Sequence, residues 1–130
     1  MIESRTSSAS PYEATIGFSR AVRVGDRILV SGTAPVEADG SSTPGEAAAQ
    51  AARCCAIIVS ALEELGGTAA DVVRTRMMIT HVEDAQTVGV VHARWFAEAR
   101  PAATMVVVAG LLRPEWRVEI EAEAVMGTAS

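Results

Sequence analysis

Three glutamates occupy alternate positions near the end of the chain, at Glu119, Glu121 and Glu123. Residues two apart in a strand point to the same side, so these carboxylates share one face, opposite Ile120 and Ala122. Paired carboxylates are the groups that general acid–base chemistry uses when their surroundings separate their pKa values. The alternative is that Glu121 and Glu123 lie at a solvent-wetted edge or at a contact between subunits. The spacing alone leaves both interpretations open.

The remaining polar residues do not combine into a recognisable site. His81 and His92 have no second ligand at helical spacing, whereas a zinc site needs three or four converging ligands. Ser31 has no general base beside it in the sequence, so a turn-forming serine is a simpler interpretation than a nucleophile. We expect neither a metal site nor a cofactor.

The two cysteines, Cys54 and Cys55, are adjacent and lie within a helical pattern. A disulfide between helical neighbours would strain the backbone, so we interpret them as small buried hydrophobes in a reducing compartment. The start of the chain has no basic segment leading into an apolar one, and no apolar stretch approaches the ~20 residues of a membrane span. These features predict a cytoplasmic protein without a membrane partner.

Length and composition are those of one globular unit. The chain has 130 residues, of which 49% are hydrophobic and 21% charged. We expect a single domain over residues 1–130, with the polar, serine-rich residues 1–10 loosely ordered. The net charge is −5, and the 11 cationic residues are all arginines scattered along the chain, so nucleic acid is not expected as a partner.

Hydrophobic periodicity predicts an α+β chain with the element order ββαβαββ. Thr43 and Glu46 are expected to cap the first helix. The second helix is expected to bury Val88, Val91, Trp95 and Ala99. The predicted elements are a hairpin over residues 14–33, a helix from Thr43 to Gly66, a strand over 72–80, a helix from Asp84 to Pro101, and strands over 105–109 and 118–125.

This element order also predicts an oligomer. Right-handed crossovers place both helices on one face of the sheet. Residues 77–79 and 105–108 are nevertheless apolar on both faces, as in strands that are buried on both sides. Because the chain has no third layer, other subunits are expected to cover the second face.

Four segments resemble motifs of the RidA-like (YjgF-type) family: residues 17–22, 30–36, 101–104 and 118–122. The similarity extends from about residue 16 to residue 125. It implies a chorismate-mutase-like fold with one sheet and two helices on one face. It also implies a homotrimer with a central barrel and a small-molecule ligand in clefts between subunits. The chemistry implied is hydrolysis of reactive enamines and imines derived from amino acids, with release of ammonia.

The resemblance assigns roles to residues of the first hairpin and the last strand. Glu119 stands where the family's glutamate positions the attacking water. Ser31 and Gly32 keep the family's Ser-Gly turn, but Thr33 replaces the usual glutamine. Phe18 takes the position of a substrate-holding tyrosine and lacks its hydroxyl.

The match is weaker at the remaining substrate-binding positions. Gly89 takes the place of an asparagine, and Met105 takes a site often held by cysteine. Ala103, which precedes Thr104, replaces the arginine that pairs with the substrate carboxylate. Losing about 3 kcal/mol of that bidentate contact lowers affinity more than a hundredfold.

Another arginine would have to replace the lost cation. Arg100 is the first candidate because it lies just before the motif, and Arg117 and Arg20 are the next candidates. The alternative for each is a solvated or intersubunit surface cation.

The sequence therefore predicts a RidA-like trimer that binds a small, largely uncharged or weakly acidic ligand. If it is catalytic, it hydrolyses an imine, an enamine or a related molecule with water oriented by Glu119. The alternative is a noncatalytic ligand-binding or regulatory module. An endoribonuclease activity, a label that some relatives carry, fits poorly with the acidic charge.

Overall fold

The structure is a computed structural model that describes residues 2–127. Its strands are β1 (Ser4–Thr6), β2 (Ala21–Val24), β3 (Arg27–Thr33), β4 (Val72–Ile79), β5 (Ala102–Val107) and β6 (Val118–Val125), and its helices are α1 (Ala47–Glu64) and α2 (Ala85–Phe96). Short helical turns cover Glu13–Gly17, Ala69–Asp71 and Val82–Asp84. Within the described residues, no helix has both the length and the apolar character needed to cross a membrane.

The six strands form one mixed sheet in the order β1-β2-β3-β6-β4-β5. Strands β3 and β4 both run antiparallel to β6, and β5 runs parallel to β4. Helix α1 therefore joins two parallel strands, and α2 joins the next parallel pair in the same direction across the sheet. Right-handed crossovers of this kind place both helices on one face. The predicted chorismate-mutase-like α+β fold is confirmed.

The core lies between this face and the helices. On β6, Val118, Ile120, Ala122 and Ala124 are at most 2% exposed and pack in one cluster with residues of α1 such as Leu62. The intervening glutamates of β6 point to the other face and are only partly buried. Since each fully buried Val or Ile contributes about 1.5–3 kcal/mol, this alternation fixes the register of β6.

The opposite face of the sheet is open in the described chain. Leu29 and Val106 are 39% and 45% exposed there, and Met78 is partly exposed. A concavity of about 630 Å³ lies over this face, and its lining includes Leu29, Arg76 and Glu121. An uncovered apolar face was expected from the sequence.

The N-terminal region differs from the prediction. Residues Ser4–Thr6 were expected to be loosely ordered, but they form an edge strand in which Arg5 lies opposite Val22. Thr43 does not cap α1, since its hydroxyl hydrogen-bonds to Glu37 Oε2 at 2.5 Å. The helix begins at Ala47, after Glu46, and has no side-chain cap.

Helix α2 and strand β5 also depart from the expected boundaries. Phe96, at 1% exposure, takes the buried position expected for Trp95, which is 36% exposed. The reason is that His92 faces the sheet and hydrogen-bonds Thr75, which centres the buried face on residue 92. Strand β5 starts at Ala102, three residues before the predicted start, because it pairs with β4 from Arg74 onward.

Candidate active site

The site is built on a β-bulge between β3 and β6. Val30 lies opposite Ala122 and Thr33 opposite Ile120, so Ser31 and Gly32 together face one residue of β6, Glu121. A bulge bends its strand and turns the backbone away from the regular ladder. The Ser31 hydroxyl fixes the bend by donating a hydrogen bond to the Ser19 carbonyl at 2.7 Å.

Glu119 lies directly over this bulge. A Cβ atom on Gly32 would be 2.5 Å from Glu119 Oε2, so no larger residue fits beneath the carboxylate. The carboxylate is partly buried and makes no hydrogen bond or ion pair with the residues of 2–127. Burial raises the pKa of Glu119, Arg20 opposes the rise and Glu121 adds to it. An unpaired carboxylate with a raised pKa is suited to hold water and accept its proton.

A cleft of about 300 Å³ opens above Gly32 and Glu119. Its walls include the aromatic rings of Tyr12, Phe18 and Trp116, and Arg20 and Glu119 are its charged lining residues. Aromatic walls exclude water and bind apolar groups, while the single carboxylate gives the cleft a polar reacting end.

The position of Trp116 is fixed by contacts with the loop over residues 40–42. Its side chain is 2% exposed, and Nε1 donates to Ser42 Oγ at 2.9 Å. The guanidinium of Arg113 lies 5.1 Å from the Trp116 ring and 5.9 Å from the Tyr12 ring, and it also donates to Gly40 O at 3.1 Å. This stacking joins two cleft walls that come from distant parts of the chain.

Arg20 lies beneath the bulge and is only 3% exposed. Its Nη1 donates to Gly32 O at 2.6 Å and to Thr33 Oγ1 at 2.8 Å, and its Nε lies 3.5 Å from Glu13 Oε2. The interpretation of Arg20 as a surface cation is therefore wrong. Thr33 is 1% exposed and contacts this arginine, so its side chain does not line the cleft.

The structure brings Phe18, Ser31, Gly32 and Glu119 together, as the resemblance implied. A second group of predicted site residues lies outside the cleft: Ala103 and Met105 are on the edge strand β5, and Gly89 is on α2. Ala103 is exposed and pairs with Thr75 on β4. The Thr75 hydroxyl is 2.8 Å from Nε2 of His92 on α2, and His92 lies about one helical turn after Gly89. Met105 pairs with Met77 and packs against the core. The two groups do not meet within one chain.

The other residues near this edge have separate contacts. The Thr104 hydroxyl points to the open face and accepts a hydrogen bond from Arg74 Nη2 at 3.1 Å. Burial lowers the pKa of His92, so this imidazole is neutral at neutral pH.

The three candidate replacement arginines differ in their partners. Arg117 donates to both carboxylate oxygens of Asp84, at 2.8 and 3.1 Å. Arg20 is held by Glu13. The Arg100 side chain is exposed and has no ion pair with the described residues, and its backbone has a left-handed φ of 48°. Of the three, Arg100 alone is both exposed and without an ion pair to a described residue.

Residues 2–127 contain no group of three or more His, Cys, Asp or Glu side chains placed to hold a metal ion. Both cysteines are buried and unpaired. Burial raises the pKa of Cys54 and raises that of Cys55 to about 12, so neither thiol is a nucleophile at neutral pH.

Sequence reasoning missed Tyr12, Glu13 and Trp116 and undervalued Arg20. Glu13 and Arg20 are seven residues apart in the sequence. Glu13 begins the short helical turn Glu13–Gly17, and no helix or strand periodicity in this segment predicts that the two side chains are in contact. Trp116 offered a signal, since a tryptophan in a short connection after a proline usually anchors that connection.

The chain matches the family described as Endoribonuclease L-PSP over residues 8–126. The 2-iminobutanoate/2-iminopropanoate deaminase of Escherichia coli K12 is 31% identical over 126 residues, covering 94% of this chain and 98% of the relative. The Bos taurus protein of the same name is 34% identical over 122 residues, covering 92% and 88%.

Among solved structures, Rv2704 from Mycobacterium tuberculosis is a member of the YjgF/YER057c/UK114 family. It is 42% identical, with a TM-score of 0.84 over 94% of this chain and 98% of that one. The chain belongs to the RidA-like (YjgF) family, as its motifs predicted, and relatives of this family are imine deaminases by name.

Proposed function

We propose that this protein is a homotrimeric, cytoplasmic hydrolase of small imines or enamines, with ligand clefts formed between subunits. The observation that carries the proposal is the unpaired Glu119 carboxylate over Gly32, at the polar end of an aromatic cleft. Membership of the RidA-like family and the similarity to imine deaminases support the reaction class.

In the proposed reaction, Glu119 orients a water molecule toward the carbon of a C=N bond. The water oxygen bonds to that carbon and the electron pair of the C=N π bond moves to the nitrogen, while the carboxylate takes one water proton and passes it to that nitrogen. In the resulting carbinolamine, Glu119 transfers the hydroxyl proton to the amino group, the C–N bond breaks, and a carbonyl product and ammonia leave with Glu119 ionised as at the start. No covalent intermediate with the enzyme is required, which suits a site without a Ser/His or Cys/His pair.

A second subunit is proposed to complete the cleft. The group around Gly89, Ala103 and Met105 lies at the sheet edge away from Glu119, and the sheet has an uncovered apolar face. Threefold assembly through this face would bring the second group of one copy to the first group of another. Arg100 is proposed to approach the cleft from the same side.

The proposed substrate is a largely uncharged or weakly acidic imine. Ala103 offers no anion clamp, while Glu13 and Asp84 neutralise Arg20 and Arg117. RNA is a poor candidate because the net charge is −5. A noncatalytic ligand-binding or regulatory module is the second candidate, favoured by the loss of the arginine at position 103.

The test is ammonia release from the imine of acetophenone, measured above its spontaneous hydrolysis. We expect turnover by the wild type and a loss of roughly a hundredfold or more in Glu119→Gln, the usual size of a general-base contribution. Glu63→Gln, which changes an exposed carboxylate on α1 outside the cleft lining, is the control and should retain the wild-type rate. If the wild type binds the imine without accelerating its hydrolysis, the binding-module interpretation replaces this one.

A further inference from the structure

A buried ion pair lies under the candidate site and is not used by the proposed reaction. Arg20 and Glu13 are 3% and 8% exposed, with 3.5 Å between Arg20 Nε and Glu13 Oε2. Glu13 is held in place by the Ser8 backbone N–H, 3.1 Å from each carboxylate oxygen, and by the Ser8 hydroxyl. An arginine buried to this degree requires a compensating charge.

Arg20 holds the part of the backbone on which Glu119 rests. One nitrogen, Nη1, donates to Gly32 O at 2.6 Å and to Thr33 Oγ1 at 2.8 Å, and it lies 3.4 Å from Ser31 O. These contacts span the whole bulge. Because Gly32 lies against Glu119 Oε2, a shift of the bulge would displace the carboxylate.

Arg20 and Glu119 also face the same cleft and interact electrostatically. A buried arginine without another partner would attract the nearest carboxylate and form an ion pair with it. Glu119 nevertheless stays free of ion pairs in the described chain, while Glu13 takes this role on the other side of the guanidinium.

We propose that Glu13 and Arg20 form the positioning unit of the site: Arg20 fixes the bulge under Glu119, and Glu13 neutralises Arg20 so that Glu119 remains unpaired. This inference rests on the proposed role of Glu119 and deepens it. It also identifies two positioning residues, neither of which needs to touch the substrate.

The charged and titratable groups around Glu119 come from several elements. Arg20 opposes the rise in the pKa of Glu119 that burial causes, and Glu121 on the same strand adds to that rise. Glu121 is itself paired with Arg76 on β4 at 2.6 Å. From α1, the buried Cys54 thiol interacts electrostatically with Glu119 and Arg20, and burial raises its pKa so that it stays uncharged. Among these groups, Arg20 is the cation whose charge would act on Glu119 if Glu13 were lost.

The experiment is an NMR titration of carbon-13-labelled glutamate in the full-length protein, with Glu119→Gln identifying the signal. In Glu13→Gln, the uncompensated Arg20 should lower the pKa of Glu119 by about one unit. Glu37→Gln removes the carboxylate of the half-buried Arg53–Glu37 pair, which is outside the cleft, and is the control in which Glu119 should titrate as in the wild type. An unchanged or higher pKa of Glu119 in Glu13→Gln overturns the proposal.

A double variant covers the case in which Glu13→Gln does not fold. Glu13→Gln with Arg20→Gln removes both charges, so Glu119 loses the cation that lowers its pKa. The pKa should then lie above the wild-type value, and an unchanged or lower value overturns the proposal. Since the titration needs no turnover, a wild type that fails to hydrolyse imines while these shifts occur contradicts the proposed function alone.

Discussion

The carboxylate of Glu119 fills the space that a side chain on Gly32 would need, with 2.5 Å between Glu119 Oε2 and the position a Cβ would take on Gly32. Real Cβ atoms do not approach other atoms so closely. The contact makes the glycine a requirement of the site, because any side chain there would displace the carboxylate from the cleft.

Gly32→Ala should therefore impair the site more than the fold. We expect hydrolysis of a neutral imine to fall by at least tenfold with little loss of stability, because the atom that the new Cβ would displace is the end of the flexible Glu119 side chain. Activity and urea unfolding measure the two effects. Gly110→Ala is the control, since a Cβ there meets nothing within 4 Å. Full activity in Gly32→Ala would show that the carboxylate need not occupy this position.

The open sheet face predicts a stable trimer. Light scattering at low micromolar concentration should give about three times 13.6 kDa. Leu29→Asp places a charge on the exposed apolar face and should dissociate the assembly, whereas Ala48→Asp on the outer side of α1 should not. A well-behaved wild-type monomer would remove the basis for a cleft between subunits.

Ala103 predicts weak activity on the imines of amino acids such as serine and threonine. Ala103→Arg should raise kcat/KM for these carboxylate-bearing substrates, by up to a hundredfold if a bidentate contact forms. It should have little effect on an uncharged imine, which serves as the internal control. Efficient wild-type hydrolysis of the carboxylate-bearing imines would show that another cation has replaced the arginine.

Arg100 is the cation to vary in that case. Arg100→Gly should relieve roughly 1–2 kcal/mol of left-handed backbone strain at its φ of 48°. The greater freedom of glycine in the unfolded chain offsets roughly 0.4–1 kcal/mol of this gain, so a slightly higher thermal midpoint is expected. If Arg100 also contacts the ligand, as proposed, the same variant should raise KM for weakly acidic substrates. Arg94→Ala, on the exposed side of α2, is the control for loss of a surface charge. An unchanged KM in Arg100→Gly would leave this arginine with no role in binding.

Much of the fold follows from the sequence because burial imposes a visible pattern. The alternation of Ile120 and Ala122 with glutamates predicted strand β6, and it also predicted the face of the sheet on which Glu119 lies. The family motifs also identified Ser31 and Gly32 as part of the site. These features depend on local periodicity or on short contiguous motifs.

The rest of the site depends on contacts that periodicity does not encode. A bulge at Ser31 is one additional residue within an otherwise regular strand. The contact of Arg20 with Glu13 passes through an irregular helical turn. Trp95 and Phe96 are neighbours, and the buried one, Phe96, lies one helical turn after His92, which hydrogen-bonds the sheet. Each of these features arises from tertiary packing.

The central claim, that Glu119 accepts a proton from water, is tested most directly by the pH dependence of kcat/KM for a neutral imine. Burial raises the pKa of Glu119, and its ionised form is the proton acceptor, so activity should be lost as the pH falls through a midpoint above the ordinary glutamate value of about 4.3. The same midpoint should appear in the NMR titration of Glu119. In Glu119→Gln, the acidic limb of the pH profile should disappear together with the activity. An acidic limb that persists unchanged in an active Glu119→Gln variant would contradict the account.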